Sequence, residues 1–501
     1  MDLLLGAVPF PYEDLREFIR DAERENELQL VMGAEEELEI GVVTEVMAKK
    51  PLPPVVLFDR IPGKPPGFRV VSNLFNTEKR TARVLGLDDS LTGIRMVRAW
   101  KEKLEQRPVV KPVEVSDGPV MENVLKEDEV DVSRFPAPRW SKYDGGRFIG
   151  TGCSVITKHP DEGWVNVGTY RVMVVGRDEV SINIAGGKHG DLIRKLYWER
   201  GMNCPIAISL GQEPTFFVMG GYQLTGWGES VFDAAGGIRR KPVKYIVSEL
   251  TGLPIPATSE VVLEGELIPT WVKSVYDGPF GEWPGYVTPA KKCPVVKVKR
   301  IYYRDNPIIQ GNPPLKPPLP EALAINVVSS AALWREVEQH VPEVKGVWCA
   351  NEGGTGGVAG FWVVVSIKQR YPGHAKQAGL AAAACRAGAY AGRFVIVVDD
   401  DIDPSNLQEV VWAVATRCDP EKDIDIIRGC WDSPVDPLLD PKKAEEGDIT
   451  NTRAIINACR PYHRLASFPP VATADKELVE KVLKKFPQLS GDKRMELPAH
   501  R

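Results

Sequence analysis

The segment CSVITKHPDEGWVNVGTYRVMVVGRDEVSINIAGGKHGDLIRKLYWERG (residues 153–201) decides how the chain folds. It sets short β-branched runs, CSVITK, VNVGTYRVMVV and VSINIA, between glycine-bearing turns, and only then admits a helix, GDLIRKLYWERG. Side chains branched at Cβ are stiff and pack well on a pleated surface, so such runs extend. The same texture continues through PIAISLG, FFVMGG, SEVVLEGELI and CPVVKVKRIYY to Arg304. Strands at this spacing, without long helices between them, read as an antiparallel sheet closed into a barrel.

The flanks have a different grain. YEDLREFIRDAEREN (residues 12–26) places apolar positions at helical spacing among charges and predicts a surface helix. The proline clusters PLPPVV and PGKPPGF break up the rest of that lobe, a polar helix spans residues 94–105, and FPAPRW (135–140) marks a boundary. Beyond the proline-rich bridge GNPPLKPPLPEAL (311–323) the order becomes strand and helix in turn: GFWVVVSIK, HAKQAGLAAAACRAG, RFVIVVDDD, NLQEVVWAVATR. The tail repeats this weakly and ends in an amphipathic helix, ADKELVEKVLKKF. The expected fold class is therefore α/β (α+β), with an N-terminal α/β lobe over residues 1–125, a central β-barrel over 126–312 and a C-terminal α/β domain over 313–501.

Bulk properties narrow the function. A chain of 501 residues exceeds one ordinary core. A net charge of −5 with no Lys/Arg block argues against nucleic acid. The longest apolar runs fall short of the ~20 residues that span a bilayer, and MDLLLGAVPFPYEDL has no basic stretch typical of a signal peptide. The eight cysteines are scattered without a C-x-x-C, as in a reduced cytoplasmic protein.

Six polar residues stand out in apolar, glycine-rich surroundings: Asn166, Arg171, His189, Glu229, Asp277 and Glu282. Amide, imidazole and carboxylate together suit a hard divalent ion. An arginine near two acids can grip a carboxylate and exchange a proton. Each also has a blander reading: His189 as a turn residue, Glu229 as a helix-start acid, Asp277 as the opening of the turn before Gly278 and Pro279. The other five histidines sit in segments that read as exposed or helical. Arg171 is harder to dismiss, because a charge in a buried run needs a partner. The glycine cluster NEGGTGGVAG (351–360) is followed by a β-branched run rather than a helix, so a surface loop is favoured over a dinucleotide site. The acidic run VDDDIDP (398–404) is read as capping the next helix ahead of binding a metal. No G-x-S-x-G elbow supports serine hydrolysis.

With their flanks, these segments resemble the UbiD-type decarboxylase family over residues 10–470. The matches are NVGTYR (166–171), GKH (187–189), WGESVFDAAGG (227–237), DGPFGEWPGY (277–286) and VVDDDID (397–403), with YPGHAKQAGLAA and WAVATRCDPEKDID adding length. The resemblance implies prenylated FMN, a flavin-reductase-like split barrel in the centre, and a C-terminal domain that builds a homodimer or homohexamer. It implies that Asn166, His189 and Glu229 bind Mn2+ (or Mg2+) bridging to the cofactor phosphate, that the Trp164 carbonyl serves a K+ site, and that Thr169 and Lys188 lie against the cofactor. The family's Glu–Arg–Glu trio maps onto Asp277, Arg171 and Glu282, with Asp277 one methylene shorter than the family residue. Arg171 would orient the carboxylate and Glu282 donate the proton in a reversible decarboxylation of an aromatic, heteroaromatic or α,β-unsaturated acid, with a flavin prenyltransferase supplying the cofactor. An ordinary-FMN reductase and a non-catalytic carboxylase subunit remain as alternatives.

Overall fold

The computed structural model describes residues 10–221, 225–317, 322–350, 360–487 and 489. The glycine cluster at 351–359 lies outside the described residues.

The first helix, Leu15–Arg24, is shorter than its periodic stretch because Asp14 caps it, accepting from Glu17 N–H at 2.8 Å. Its apolar face, Leu15, Phe18, Ile19 and Ala22, is buried. Behind it stands a four-stranded sheet of Leu28–Met32, Val55–Asp59, Arg69–Ser72 and Ile308–Gln310. Its last strand comes from the end of the central region, so the N-terminal lobe is completed by distant sequence. The helix Gly93–Glu105 buries Met96, Val97, Trp100 and Leu104, the spacing of one helical face.

The central region is a ten-stranded sheet. Its main path runs Phe148–Gly150, Val172–Gly176, Glu179–Ile182, Lys291–Tyr303, Val261–Leu267, Cys204–Leu210, Cys153–Lys158 and Val165–Gly168, with Asn123–Lys126 and Ser274–Asp277 pairing onto Lys291–Tyr303. Every pairing is antiparallel. Among the described residues no pairing joins the two end strands, so the sheet is curled but split on one side instead of closed. Helices pack where closure would otherwise occur: Pro214–Gly221, Val231–Arg239 and His189–Trp198 all contact the end strand Val165–Gly168.

Two local expectations need correction here. FFVMGG, read as a strand, lies in the helix Pro214–Gly221, because the Glu213 carboxylate accepts from the N–H groups of Thr215 and Phe216 at 3.0 and 2.8 Å and starts the turn. A short run buried on all sides has no period to separate helix from strand. VNVGTYRVMVV is not one strand either. Pairing stops after Gly168 and resumes at Val172, and Arg171 sits in that break.

The C-terminal region is a five-stranded sheet in the order Val344–Cys349, Trp362–Ile367, Phe394–Asp399, Thr450–Ala458, Ile424–Trp431. Its middle three strands are parallel, as strand–helix alternation requires, and the outer two antiparallel. The helices His374–Ala384 and Leu407–Arg417 flank it. The helix Ala322–Glu338 packs on Gly93–Glu105, so one hydrophobic core runs from the N-terminal lobe into the C-terminal sheet. The acidic run at 398–404 does not cap Leu407–Arg417. Asn406 does, accepting from Gln408 and Glu409 N–H. Asp399 and Asp401 instead neutralise the buried Arg417 at 3.2 and 2.8 Å. No described helix is long and apolar enough to cross a membrane. All eight cysteines are free thiols.

Candidate active site

The break between Val165–Gly168 and Val172–Gly176 turns Arg171 toward the segment after Ser274–Asp277. Arg171 Nε donates to Asp277 Oδ1 at 2.8 Å and Nη1 donates to Glu282 Oε1 at 2.6 Å. Asp277 has no exposed surface and its second oxygen accepts from Ser181 Oγ at 2.6 Å. Strand register explains the meeting: Asp277 pairs with Lys291 and Ser181 with Val295 on one shared strand. Gly278 adopts φ +99°, and a Cβ there would lie 3.2 Å from Arg171 Nη2 and 3.3 Å from the Ala290 Cα, so the turn needs glycine. Phe280 and Phe148 stand 5.2 and 6.0 Å from the guanidinium, excluding water from it.

Glu282 differs from Asp277 in keeping an open side: 18 % of its side-chain surface is exposed. Burial pushes its carboxyl above the ordinary glutamate value. Arg171 and Lys291 oppose this, and the Asp277 charge adds to it. One acid is thus locked on the arginine, and its neighbour is proton-retaining and reachable, the division that acid–base chemistry needs.

A second cluster forms around two tryptophans. The Trp164 and Trp227 rings meet at 4.9 Å, and His189 packs edge-on to both at 5.8 and 5.5 Å. These contacts draw together three chain segments, those bearing Asn166, His189 and Glu229. Asn166 is buried, its Nδ2 3.3 Å from Thr157 Oγ1. Glu229 is exposed and accepts from Gly226 N–H at 2.8 Å. Burial, with Arg386 and Lys188 nearby, pushes the His189 imidazole below its ordinary value of 6.5, leaving it neutral at physiological pH. A neutral imidazole can ligate a metal. Among the described residues no three His, Cys, Asp or Glu side chains gather as a metal site. The expected trio contains only two such residues, its third donor being an amide.

A cleft of about 920 Å³ lies between the central sheet and the C-terminal domain, and the second cluster reaches it through Glu229. Gly186, Gly187, Lys188 and Glu229 line one wall. Side chains from Ala322–Glu338 and from residues 385–390 line the other. Nothing lies within 4 Å of where a Cβ would stand on Gly186 or Gly187, so a ligand can approach that backbone. Thr169 Oγ1 and Ser154 Oγ are buried without a hydrogen-bond partner, as cofactor-facing hydroxyls would be. Burial pushes Lys188 down to about 8, and its Nζ lies 5.4 Å from the Tyr390 ring. The Trp164 carbonyl already accepts from His159 N–H at 2.9 Å.

Several residues of the site carry no mark in the sequence. Ser181 reads as one more strand residue. His159, in a segment that reads as exposed, is buried and stacks on Trp164 at 6.1 Å. Tyr390 and Trp431 come from the C-terminal domain, and only the cleft reveals them. Trp227 alone has a signal, a large aromatic inside a glycine turn.

A split, curled sheet with an open cleft and an arginine held between two carboxyls suits an enzyme that handles carboxylic acids. Comparison identifies its kind. Family profiles described as the 3-octaprenyl-4-hydroxybenzoate carboxy-lyase N-terminal, Rift-related and C-terminal domains match residues 19–100, 111–317 and 322–458. A phenolic acid decarboxylase of Sedimentibacter hydroxybenzoicus is 34 % identical, covering 90 % of this chain and 92 % of the relative. A pyrrole-2-carboxylic acid decarboxylase of Pseudomonas aeruginosa is 30 % identical over 89 % and 91 %. The closed form of the Sedimentibacter hydroxybenzoicus vanillic acid decarboxylase superposes with a TM-score of 0.82 at 30 % identity, covering 96 % and 99 %. An evolved dimeric form of the UbiD-class enzyme HmfF from Pelotomaculum thermopropionicum, in complex with prFMN, superposes with a TM-score of 0.78 at 25 % identity, covering 95 % and 100 %. The chain belongs to the UbiD family of decarboxylases and is a carboxy-lyase.

Proposed function

We propose that this enzyme releases CO2 from an aromatic or heteroaromatic carboxylic acid on prenylated FMN, with Arg171 orienting the carboxylate and Glu282 returning the proton. The observation that carries the reading is the bridged trio Asp277–Arg171–Glu282, in which only Glu282 is both proton-retaining and open. Arg171 remains cationic between two acids and holds the carboxylate by charge-assisted bonds. Glu282, whose burial favours its protonated form, delivers its proton to the carbon from which CO2 departs. Its carboxylate is then stabilised by the same guanidinium, so the step is reversible and an excess of bicarbonate favours carboxylation.

When bound, prenylated FMN supplies the electron sink for bond cleavage. Thr169, Lys188 and the open backbone at Gly186 and Gly187 suit its phosphate and ring. Asn166, His189 and Glu229 would hold Mn2+ or Mg2+ beside that phosphate, a set that matches a hard ion tolerant of one imidazole. K+ at the Trp164 carbonyl belongs to the same reading, as does self-association into a dimer or hexamer. An ordinary-FMN reductase has no use for an arginine between two acids, nor does a scaffold subunit.

The test is purification after co-expression with a flavin prenyltransferase, followed by CO2 release from a panel of aromatic and heteroaromatic acids. Cofactor-loaded protein that releases CO2 from none of them, and incorporates no labelled bicarbonate, refutes the proposal. Size-exclusion chromatography with light scattering checks the assembly, and a monomer would count against that part.

A further inference from the structure

On the cleft wall, Asp432 presents a buried carboxyl whose proton is shared with Asp436 and whose acceptor side is not filled by the fold. Its residue surface is 1 % exposed, and neither Oδ1 nor Oδ2 has a well-formed hydrogen bond from a protein N–H or O–H, the Ser433 N–H and the Asp436 carboxyl being its nearest polar neighbours. The neighbouring carboxyl, Asp436, cannot donate in its ionised form. It is already paired with Arg393 and accepts from Leu438 N–H at 2.8 Å. Arg453 is also close, but its Nη groups donate to the carbonyls of Ala383, Gly388, Ala389 and Trp431. Burial and the Asp436 charge hold the Asp432 proton far above the ordinary aspartate range. A buried acceptor without a donor is costly, and in native sites it marks an absent partner.

Position says what that partner is. Tyr390 donates to Ser433 Oγ at 3.0 Å, and burial, with the Asp432 and Glu282 carboxyls nearby, raises its hydroxyl above the ordinary phenol value. Asp432 and the proton-donating acid therefore both lie near this tyrosine. The Tyr390 and Trp431 rings meet at 4.9 Å beside the carboxyl, a surface suited to an aromatic ring. Arg107, Lys188, Arg335 and Arg386 line the cleft, and among the described lining residues Glu229 and Glu336 are the acids besides Asp432, so a cationic ligand is disfavoured. A neutral donor on an otherwise anionic aromatic acid remains.

We propose that Asp432 is a specificity-determining residue whose carboxyl accepts a hydrogen bond from a phenolic hydroxyl on the ring of the substrate, at the end away from the carboxylate held by Arg171. This rests on the function proposed above and selects within it. A pyrrole-2-carboxylate carries its N–H beside its carboxylate and cannot bridge the two ends, so phenolic acids are the substrate class.

Binding to flavin-loaded enzyme carrying Glu282→Gln, with residue 432 either wild type or substituted, tests it with turnover suppressed. Dissociation constants of 4-hydroxybenzoate, 3,4-dihydroxybenzoate, 4-fluorobenzoate, benzoate and pyrrole-2-carboxylate are measured by calorimetry. The enzyme with Asp432 intact is expected to prefer the hydroxylated acids over benzoate and 4-fluorobenzoate by roughly 10–100-fold, the range for a buried acceptor left unpaired. Asp432→Leu is expected to erase that ratio, whereas Asp432→Asn, which keeps a carbonyl acceptor and can donate to Asp436, retains it. Thermal melting and flavin absorbance confirm that each variant is folded and loaded. A preference below about threefold with Asp432 intact, a ratio unchanged in Asp432→Leu, or a ratio lost equally in Asp432→Asn overturns the assignment. The panel with Asp432 intact stands even if a variant at 432 fails to fold. CO2 release is scored separately, with Glu282 intact: binding preference without decarboxylation refutes the proposed function alone, and decarboxylation without preference refutes Asp432 alone.

Discussion

Replacing Asp277 by asparagine separates a catalytic role from a turn role, because asparagine opens a turn as well as aspartate. In the wild type Asp277 accepts two hydrogen bonds, from Arg171 Nε at 2.8 Å and Ser181 Oγ at 2.6 Å, and it does so fully buried. An asparagine amide has one acceptor oxygen, so one of the two bonds must reverse or fail. The contact with Arg171 also changes from an ion pair to a bond between a charged donor and a neutral acceptor, a difference of about 1–2 kcal/mol, or roughly 5–30-fold in the arginine's hold on its ligand. A second effect acts on the proton. The Asp277 charge is one of the groups holding the Glu282 proton on, while Arg171 pulls the other way. Asp277→Asn removes the first and leaves the second, so Glu282 ionises at lower pH. Together these place the loss in kcat/KM at ~10²-fold at neutral pH, within the range for general-acid catalysis. The alkaline limb of the pH profile should also move to lower pH. The assay is CO2 release by holoenzyme across pH. Wild-type turnover with an unmoved alkaline limb would refute the reasoning and leave Asp277 only the turn. Asp277→Glu restores the charge and is expected to keep fold and cofactor while altering rate or substrate range.

Glu282→Gln is expected to lower turnover by roughly 10²–10⁴-fold while leaving flavin bound; near-normal CO2 release in this variant would remove the proton-donor assignment. His189→Ala and Glu229→Ala should yield folded protein largely without flavin, since each removes a ligand that offsets the phosphate charge; full flavin absorbance in both places the metal elsewhere. Because the folded-state Glu282 binds its proton more tightly than the ordinary value of 4.5, its contribution to stability is complete below that value and declines as pH rises through the raised folded-state value. The melting temperature of Glu282→Gln should therefore vary less with pH above 4.5 than that of the wild type, and parallel curves would contradict this.

The residues of the catalytic trio were legible because their neighbours are wrong for them. Arg171 stands in a run of β-branched residues and the two acids bracket a glycine–proline turn, so each demands a partner from local chemistry alone. Strand and helix alternation likewise comes from period and branching, properties of consecutive residues. What only the tertiary structure decided depends on contacts between residues far apart in the chain. FFVMGG has no period, and it coils because Glu213 caps it within a buried layer. The barrel stays split because helices occupy its seam. The acids at 399 and 401 meet Arg417 rather than the helix after them. Asp432 reads as a loop aspartate before a proline turn, and its meaning appears only when folding buries it beside Asp436 and near Tyr390 on the cleft wall. Local sequence sets which groups must be paired. Long-range packing chooses the partners and leaves one carboxyl for a ligand to complete.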